Sequence, residues 1–382
     1  MSNNKSDFLV IGAGIAGASA AARLSQHGSV IVLERESQPG YHTTGRSAAT
    51  FEPSYGSHDV RKLILASEEF LRSPTVGYGD GSSFLSPRGI MAIFRADQKE
   101  AMEREFEDVQ STSPDFRILS QQETLERVPI LDPDYMAASI YSDLAQDIDV
   151  HALHQAYLGV IKSNDSQLIV NADVTAISHH ASGGDWHVDT AKAGSFSAPI
   201  VINAAGAWCD VMAELAGVPA IGLEPRRRNA VLIPGPEGYD VSSWPMLGGS
   251  DPAFYFKPDA GRLMVSPEDA IPSPPCDARP DEMDIAIAID RFENATTVSV
   301  KRPEHTWAGL RSFVADEMLV AGFDPDPAHS GFFWLTGQGG YGIETSPAMS
   351  LIASSLVRGT AFPDHMAAFD LSAADVAPGR LK

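Results

Sequence analysis

The chain has 382 residues, with 28 Lys or Arg against 50 Asp or Glu, a formal charge of −22 at pH 7. A phosphate backbone is held by clustered basic charge, so this balance argues against a nucleic-acid-binding protein. At 43% hydrophobic and 20% charged residues, the composition suits a large core and excludes charge-driven disorder and a fibrous repeat. The length fits two domains, or one large α/β unit with an inserted lobe.

The first apolar run, Phe8-Leu9-Val10-Ile11-Gly12, has the continuous pattern of a strand buried on both faces of a parallel sheet. Gly12-Ala13-Gly14-Ile15-Ala16-Gly17 follows, then alanine-rich Ala18 to Leu24, then Gly28 as a stop, then Val30-Ile31-Val32-Leu33 ending at Glu34. Strand, tight turn, helix, strand and acid stand in the order of a dinucleotide-binding unit. In such a unit Gly12 permits the turn, Gly14 lets a pyrophosphate approach the backbone, and Gly17 allows helix and strand to pack closely. Glu34 can accept hydrogen bonds from ribose hydroxyls, which disfavours a 2′-phosphate. The glycine pattern alone would be weak evidence; its flanks make it specific.

Phe8 to Ala22 carries no charge and could be taken for an export signal. Lys5 with Asp7, the three internal glycines and the acidic strand end oppose that reading. No other stretch approaches the ~20 apolar residues of a membrane span. With only Cys209 and Cys276, neither near a second Cys or His at ligand spacing, the chain reads as cytoplasmic and metal-free.

Beyond Glu34, residues 35–49 form a Gly-, Ser- and Thr-rich stretch suited to lying against a planar, polar group; the alternative is a surface loop with Arg46-Ser47-Ala48-Ala49 as a helix start. Residues 84–95 read as a strand pair, 97–110 as a charged helix, and 149–163 as a helix whose start is marked by Asp147 and Asp149. Residues 198–206 form an apolar strand ending in Ala-Ala-Gly, followed by a helix from Asp210 to Leu215. From about 223 to 320 come strands, a helix at 281–294 and Pro-rich turns. Gly337-Gln338-Gly339-Gly340-Tyr341-Gly342 is a second glycine-rich turn, with a helix expected from Ile343 to Val357 and a loosely ordered tail over 360–382.

Residues 8–17, Glu34, Thr44-Gly45-Arg46-Ser47-Ala48, Val201-Ile202-Asn203-Ala204-Ala205-Gly206-Ala207-Trp208 and the Gly337–Gly342 turn together resemble the FAD-dependent D-amino-acid oxidase family, which includes glycine and sarcosine oxidases. Within it the chain is most similar to the bacterial FAD-dependent D-arginine dehydrogenases, through Pro225-Arg226-Arg227-Arg228, Phe254-Tyr255 and His305 to Phe313 as well. The resemblance implies an α/β fold: a Rossmann-type FAD-binding domain (1–80, 148–222 and 314–382) with an inserted antiparallel-sheet substrate domain (81–147 and 223–313). It implies non-covalent FAD held by Gly12, Ala13, Gly14, Ile15, Ala16, Gly17, Glu34, Arg35, His42, Thr43, Thr44, Gly45, Arg46, Ser47, Ala48, Val174, Gly206, Gly340, Gly342, Ile343 and Glu344. No Cys lies in the C-terminal glycine segment, where some sarcosine oxidases attach theirs.

Arg226-Arg227-Arg228 is the densest basic cluster of an acidic chain. By the resemblance Arg228 and Arg311 clamp a substrate carboxylate, with Tyr55 and Tyr255 completing the pocket; Arg226 and Arg227 are expected to pair with acids such as Glu224. A planar bidentate donor suits a carboxylate better than an ammonium does. The implied reaction is oxidation of a D-amino acid by hydride transfer from Cα to flavin N5, the imino acid then hydrolysing to a 2-oxo acid and ammonia. The electron acceptor is a quinone-like molecule or oxygen. The motifs offer no obvious buried His or carboxylate as base, so the rate is expected to rise as the substrate amine deprotonates.

The relative's glutamate for a cationic side chain is replaced here by Ile90, which places D-arginine itself in question. Glu52 and Glu344 occupy positions uncharged in the relative and are candidates for a relocated carboxylate. Two alternatives stay open: a secondary-amine oxidase of the sarcosine or glycine type, and a non-catalytic flavin-binding subunit. A nicotinamide site is disfavoured, since Gly79-Asp80-Gly81 lacks strand and helix flanks.

Overall fold

The structure is a computed structural model that describes residues 4–179 and 184–381. Strand β1 (Phe8–Ile11) lies between β2 (Val30–Leu33) and Ile200–Asn203, parallel to both, with Leu9 level with Ile31 and Val201. Gln167–Ile169 and Phe332–Thr336 extend the sheet in parallel, and antiparallel Val320–Phe323 closes it at six strands. Leu9, Val10, Val32, Val201, Ile202 and Phe333 are fully buried, each contributing about 1.5–3 kcal/mol of transfer free energy. That two-sided burial is why the strands carry unbroken apolar runs.

Helix α1 (Ile15–Leu24) packs on this sheet through alanines that are buried along nearly its whole length. The close approach depends on Gly17, where a Cβ would stand 1.9 Å from the Gly12 carbonyl oxygen. Gly12 itself has φ +101, with room for no side chain against the Ala204 carbonyl.

The second large sheet has nine strands, drawn from residues between 90 and 142 and between 224 and 313. Its spine is the antiparallel pair Glu224–Ile233 and His305–Phe313, in register from Glu224 with Phe313 to Leu232 with His305. One pairing departs from the expected antiparallel pattern: Met246–Ser250 runs parallel to Ile90–Phe94. The strands in 84–95 also do not pair with each other. Gly89, at φ +76, donates its N–H to the Ala145 carbonyl and turns the chain, so Leu85–Pro87 joins a small sheet with Thr50–Phe51 and Gln146–Ile148 while Ile90–Phe94 enters the large one.

Helices form where expected at Lys99–Thr112, Val150–Ser163, Cys209–Leu215 and Glu282–Ala295. Asp149 caps the second and Asp281 the fourth through side-chain oxygens that accept first-turn N–H groups. Two expectations fail. The C-terminal helix starts at Ser346 rather than Ile343, because Gly337 to Thr345 stays a turn and Pro347 sits in the first helical turn. The tail is packed rather than loose: Asp364–Ala367 and Ala373–Val376 bury Met366 and Val376 completely, and Arg380 pairs with Asp316 at 2.8 Å. Among the described residues, no helix is long and apolar enough to cross a membrane.

Candidate active site

A cavity of about 490 Å³ runs from the carboxyl ends of β1 and β2 to the large sheet. That is the edge where open α/β sheets take ligands. At one end Gly12, Gly14, Ile15 and Ala16 line it, and Gly14 caps α1 without any side-chain hydrogen bond, leaving a helix N-terminus facing the cavity. The polarity of that terminus favours an anion such as a pyrophosphate. Glu34 also lines the cavity; its Oε2 accepts the Ala13 N–H and its Oε1 the Glu36 N–H, both at 2.9 Å. Those bonds fix the carboxylate where a ribose would approach.

The loop after β2 wraps the same end. Thr44 accepts the Ile15 N–H at 2.9 Å, and the Arg35 guanidinium lies 4.8 Å from the Trp208 ring centre. His42 Nε2 meets Glu36 at 3.0 Å. Thr43 donates to the Leu310 carbonyl at 2.7 Å, and Arg46 donates to the Ala278 and Ala308 carbonyls and pairs with Asp277 at 2.5 Å, so this loop is tied to the large sheet. Ser47, Ala48, Val174, Gly206, Gly340, Gly342 and Ile343 are on the cavity wall. Ala13, Gly17 and Gly45 are not: Ala13 serves through its N–H, Gly17 through helix packing, and Gly45 by crossing the Gly40 carbonyl, which its Cβ would approach to 2.8 Å.

The other end gathers Tyr55, Arg228, Tyr255 and Arg311 on one wall. Arg228 and Arg311 come from the two spine strands, and Arg228 is held by the Asp269 carbonyl. Arg226 pairs with Glu224 and Glu317 at 2.6 and 2.7 Å, and Arg227 with Asp284 at 3.0 Å. Arg311 differs from all of these, because no carboxylate among the described residues lies within 4.0 Å of it. Burial opposes its charge, while Tyr55, Tyr255 and Glu268 favour it, and the net direction is upward. Gly340 makes space for it: a Cβ there would stand 2.8 Å from the Arg311 Cζ and 3.0 Å from the Tyr55 hydroxyl. Burial pushes the Tyr55 phenol up, so it stays neutral and able to donate.

Ile90 lines the cavity beside Met91. Glu52 and Glu344 also line it, are 9% and 3% exposed, and touch: the Glu52 N–H donates to Glu344 Oε2 at 3.0 Å. Ser54 donates both its N–H, at 3.0 Å, and its hydroxyl to Glu52 Oε1. Burial, with Glu52 beside it, holds the Glu344 carboxyl well above the usual range, and burial raises Glu52 too. Two further acids reach the cavity, Glu105 from Lys99–Thr112 and Glu268 after Arg262–Ser266. Burial raises the Glu105 carboxyl, and Asp108 and Glu268 add to the effect. The charged pattern of 97–110 reads as a solvated helix, and nothing in it marks Glu105 as cavity-facing.

FAD fits this arrangement on the structure's own terms. A helix N-terminus whose cap residue is the side-chain-free Gly14 stands by the cavity, Glu34 is held beside it through the Ala13 N–H, and glycines at 12, 14, 340 and 342 bring backbone to the wall. Comparison with known proteins agrees. FAD-dependent oxidoreductase domain-containing protein 1 of Bos taurus is 23% identical over 401 residues, covering 92% of this chain and 81% of its own. The solved L-proline dehydrogenase of P. horikoshii superposes with a TM-score of 0.81 at 20% identity, over 99% of this chain and 98% of that one. Glycine oxidase of Geobacillus kaustophilus gives 0.79 at 20%, over 96% and 98%. The FAD dependent oxidoreductase family itself matches residues 7–356; the chain belongs to that family, and FAD is its cofactor.

Proposed function

We propose that the protein oxidises the α-carbon of D-amino acids, giving an imino acid that hydrolyses to a 2-oxo acid and ammonia. The observation that carries this reading is Arg311, a half-buried guanidinium on the cavity wall beside Tyr55, with no carboxylate among the described residues within 4.0 Å. Leaving such a charge unpaired is costly, so the site is built for an anionic ligand group. FAD, when bound, supplies the hydride acceptor. Arg311 and Arg228 hold the substrate carboxylate, Tyr55 donates to it, and Tyr255 closes the wall above the pocket. Fixing the α-carbon in this way supplies much of the catalysis, by orientation.

The D-arginine dehydrogenase-like assignment rests on the sequence resemblance, and the side-chain preference is altered by Ile90. Glu105 and Glu268 on the cavity wall support acceptance of a cationic side chain. The proposed division of labour gives FAD binding to 1–80, 148–222 and 314–382, and the carboxylate-clamp arginines to 81–147 and 223–313, with Tyr55 reaching the substrate from the first of the FAD-binding segments. Free Cys209 and Cys276 fit a reducing, cytoplasmic compartment, with a quinone-like molecule or oxygen taking the electrons. The likeness to a glycine oxidase supports a second reading, oxidation of a glycine- or sarcosine-type amine with the same carboxylate clamp.

Arg311→Met tests the clamp. The variant should retain FAD, seen in its absorbance, while kcat/KM for amino-acid oxidation falls on the order of 10²-fold or more. Unchanged KM and kcat would remove the clamp from the reading.

A further inference from the structure

The clamp accounts for the substrate carboxylate and leaves its ammonium without a partner. Hydride can leave the α-carbon only when the neighbouring nitrogen carries a lone pair, so a bound zwitterion must first lose a proton. The same cavity holds two buried carboxyl groups that the clamp does not use. Glu344 has one oxygen, Oε2, fixed by the Glu52 N–H; its other oxygen takes no hydrogen bond from the described residues. Glu52 is in turn fixed by Ser54 through N–H and hydroxyl. A side chain only 3% exposed, on the cavity wall, with a free acceptor oxygen, is placed to receive a donor from a ligand.

We propose that Glu344, backed by Glu52, receives the substrate ammonium and accepts its proton. This rests on the amino-acid oxidation reading above. In the step an ammonium N–H bond breaks, its electron pair stays on nitrogen, and the proton forms an O–H bond on the Glu344 carboxylate. A cation and an anion become two neutral groups, which suits a carboxyl group that is itself buried. Before the transfer the substrate is held by opposite charges at its two ends, Arg311 at the carboxylate and Glu344 at the ammonium.

The groups facing Glu344 set its behaviour. Burial raises its proton affinity most; the Glu52 backbone N–H lowers it, the Glu52 carboxylate raises it by less, and Arg311 lowers it by less again. Tyr55 and Tyr341 stand beside it as neutral phenols, each pushed up by burial, Tyr341 to about 12. Arg61, on His58–Arg72, acts on Glu52 and lowers its proton affinity. The net effect is a base stronger than an ordinary carboxylate and hence better matched to an amine. It must be ionised to act, so activity rises as Glu344 loses its proton, at a pH above the ordinary carboxylate value.

The test compares wild type, Glu344→Gln and Glu52→Gln, each loaded with FAD, in kcat/KM across pH, together with infrared spectra of the substrate-free proteins. Wild type should show a protonated-carboxyl band that Glu344→Gln diminishes. In that variant kcat/KM should fall on the order of 10²-fold near about pH 7 and recover to within about tenfold near about pH 10, following the substrate's own ammonium. Glu52→Gln keeps the base and removes its neighbour's charge, so the rising limb should move to lower pH. An unchanged band, an equal loss in Glu344→Gln at every pH, or an unmoved limb in Glu52→Gln overturns the proposal. If wild type oxidises no amino acid at any pH, the amino-acid reading fails instead, whatever the infrared band shows.

Discussion

Ile90 is the residue on which side-chain preference turns. It lies on the cavity wall at the edge of the strand Ile90–Phe94, beside Met246 across a parallel pairing. A carboxylate there should favour cationic side chains, and Glu105 and Glu268 should already do so in part. Ile90→Glu is expected to raise kcat/KM for D-arginine and D-lysine over D-leucine by about tenfold, and Glu105→Gln with Glu268→Gln to shift the ratio the other way. Ratios unchanged in both sets of variants would take side-chain selection away from this wall. Residues at this scale differ in how far the sequence reveals them. Gly12, Gly14 and Glu34 act within one strand–helix–strand unit, so their spacing is a chain-local signal. Glu52 and Glu344 are 292 positions apart, and only the folded chain makes them neighbours. Glu105 belongs to a helix whose pattern gives no hint of the cavity, and its placement follows from how that helix lies on the large sheet.

Among the elements, the start of α1 carries the tightest constraint. Adding a Cβ at Gly17 drives it into the Gly12 carbonyl, and that collision can be relieved only by lifting the helix from the sheet. Gly17→Ala should cost about 1–3 kcal/mol or more of stability, and purified protein should carry visibly less FAD. Gly159 is the control. It sits exposed in Val150–Ser163 with no atom within 4 Å of an added Cβ, so Gly159→Ala should raise Tm by the equivalent of about 0.5–1 kcal/mol and leave FAD content alone. Equal effects from both substitutions would mean that helix propensity, not close packing, governs the first position. Several helices are legible in the sequence, Val150–Ser163 from its cap Asp149 above all, whereas His58–Arg72 is evident only in the structure. The C-terminal helix was misplaced by three residues because a glycine turn runs straight into it; Pro347, favoured in a first helical turn, was the available signal. The strands near 84–95 were legible as strands, but their partners were not, since Gly89 sends them to different sheets.

Over the whole molecule, two sheets share one cavity and the contacts between them are polar as well as apolar. Lys257 of the large sheet donates to the Ala48 carbonyl and pairs with Asp147, each at 2.6 Å, and Arg88 joins Asp147 at 2.6 Å. This half-buried cluster ties the 46–49 loop to the large sheet. The tail, read from sequence as loose, instead covers the edge of the six-stranded sheet near Val320–Phe323 through Met366, Val376 and Arg380. Its elements are four residues long, too short to show a period. In a chain of net charge −22, Arg228 and Arg311 bring positive charge to the cavity, where the carboxyl groups of Glu52, Glu344, Glu105 and Glu268 also lie. That combination suits a zwitterion, with or without a cationic side chain, better than a dianion. The most direct test is anaerobic mixing of the FAD-loaded protein with a panel of D- and L-amino acids while flavin absorbance is followed. The expected result is bleaching by D-amino acids and none by their L-enantiomers; no bleaching with any D-amino acid would contradict the assignment.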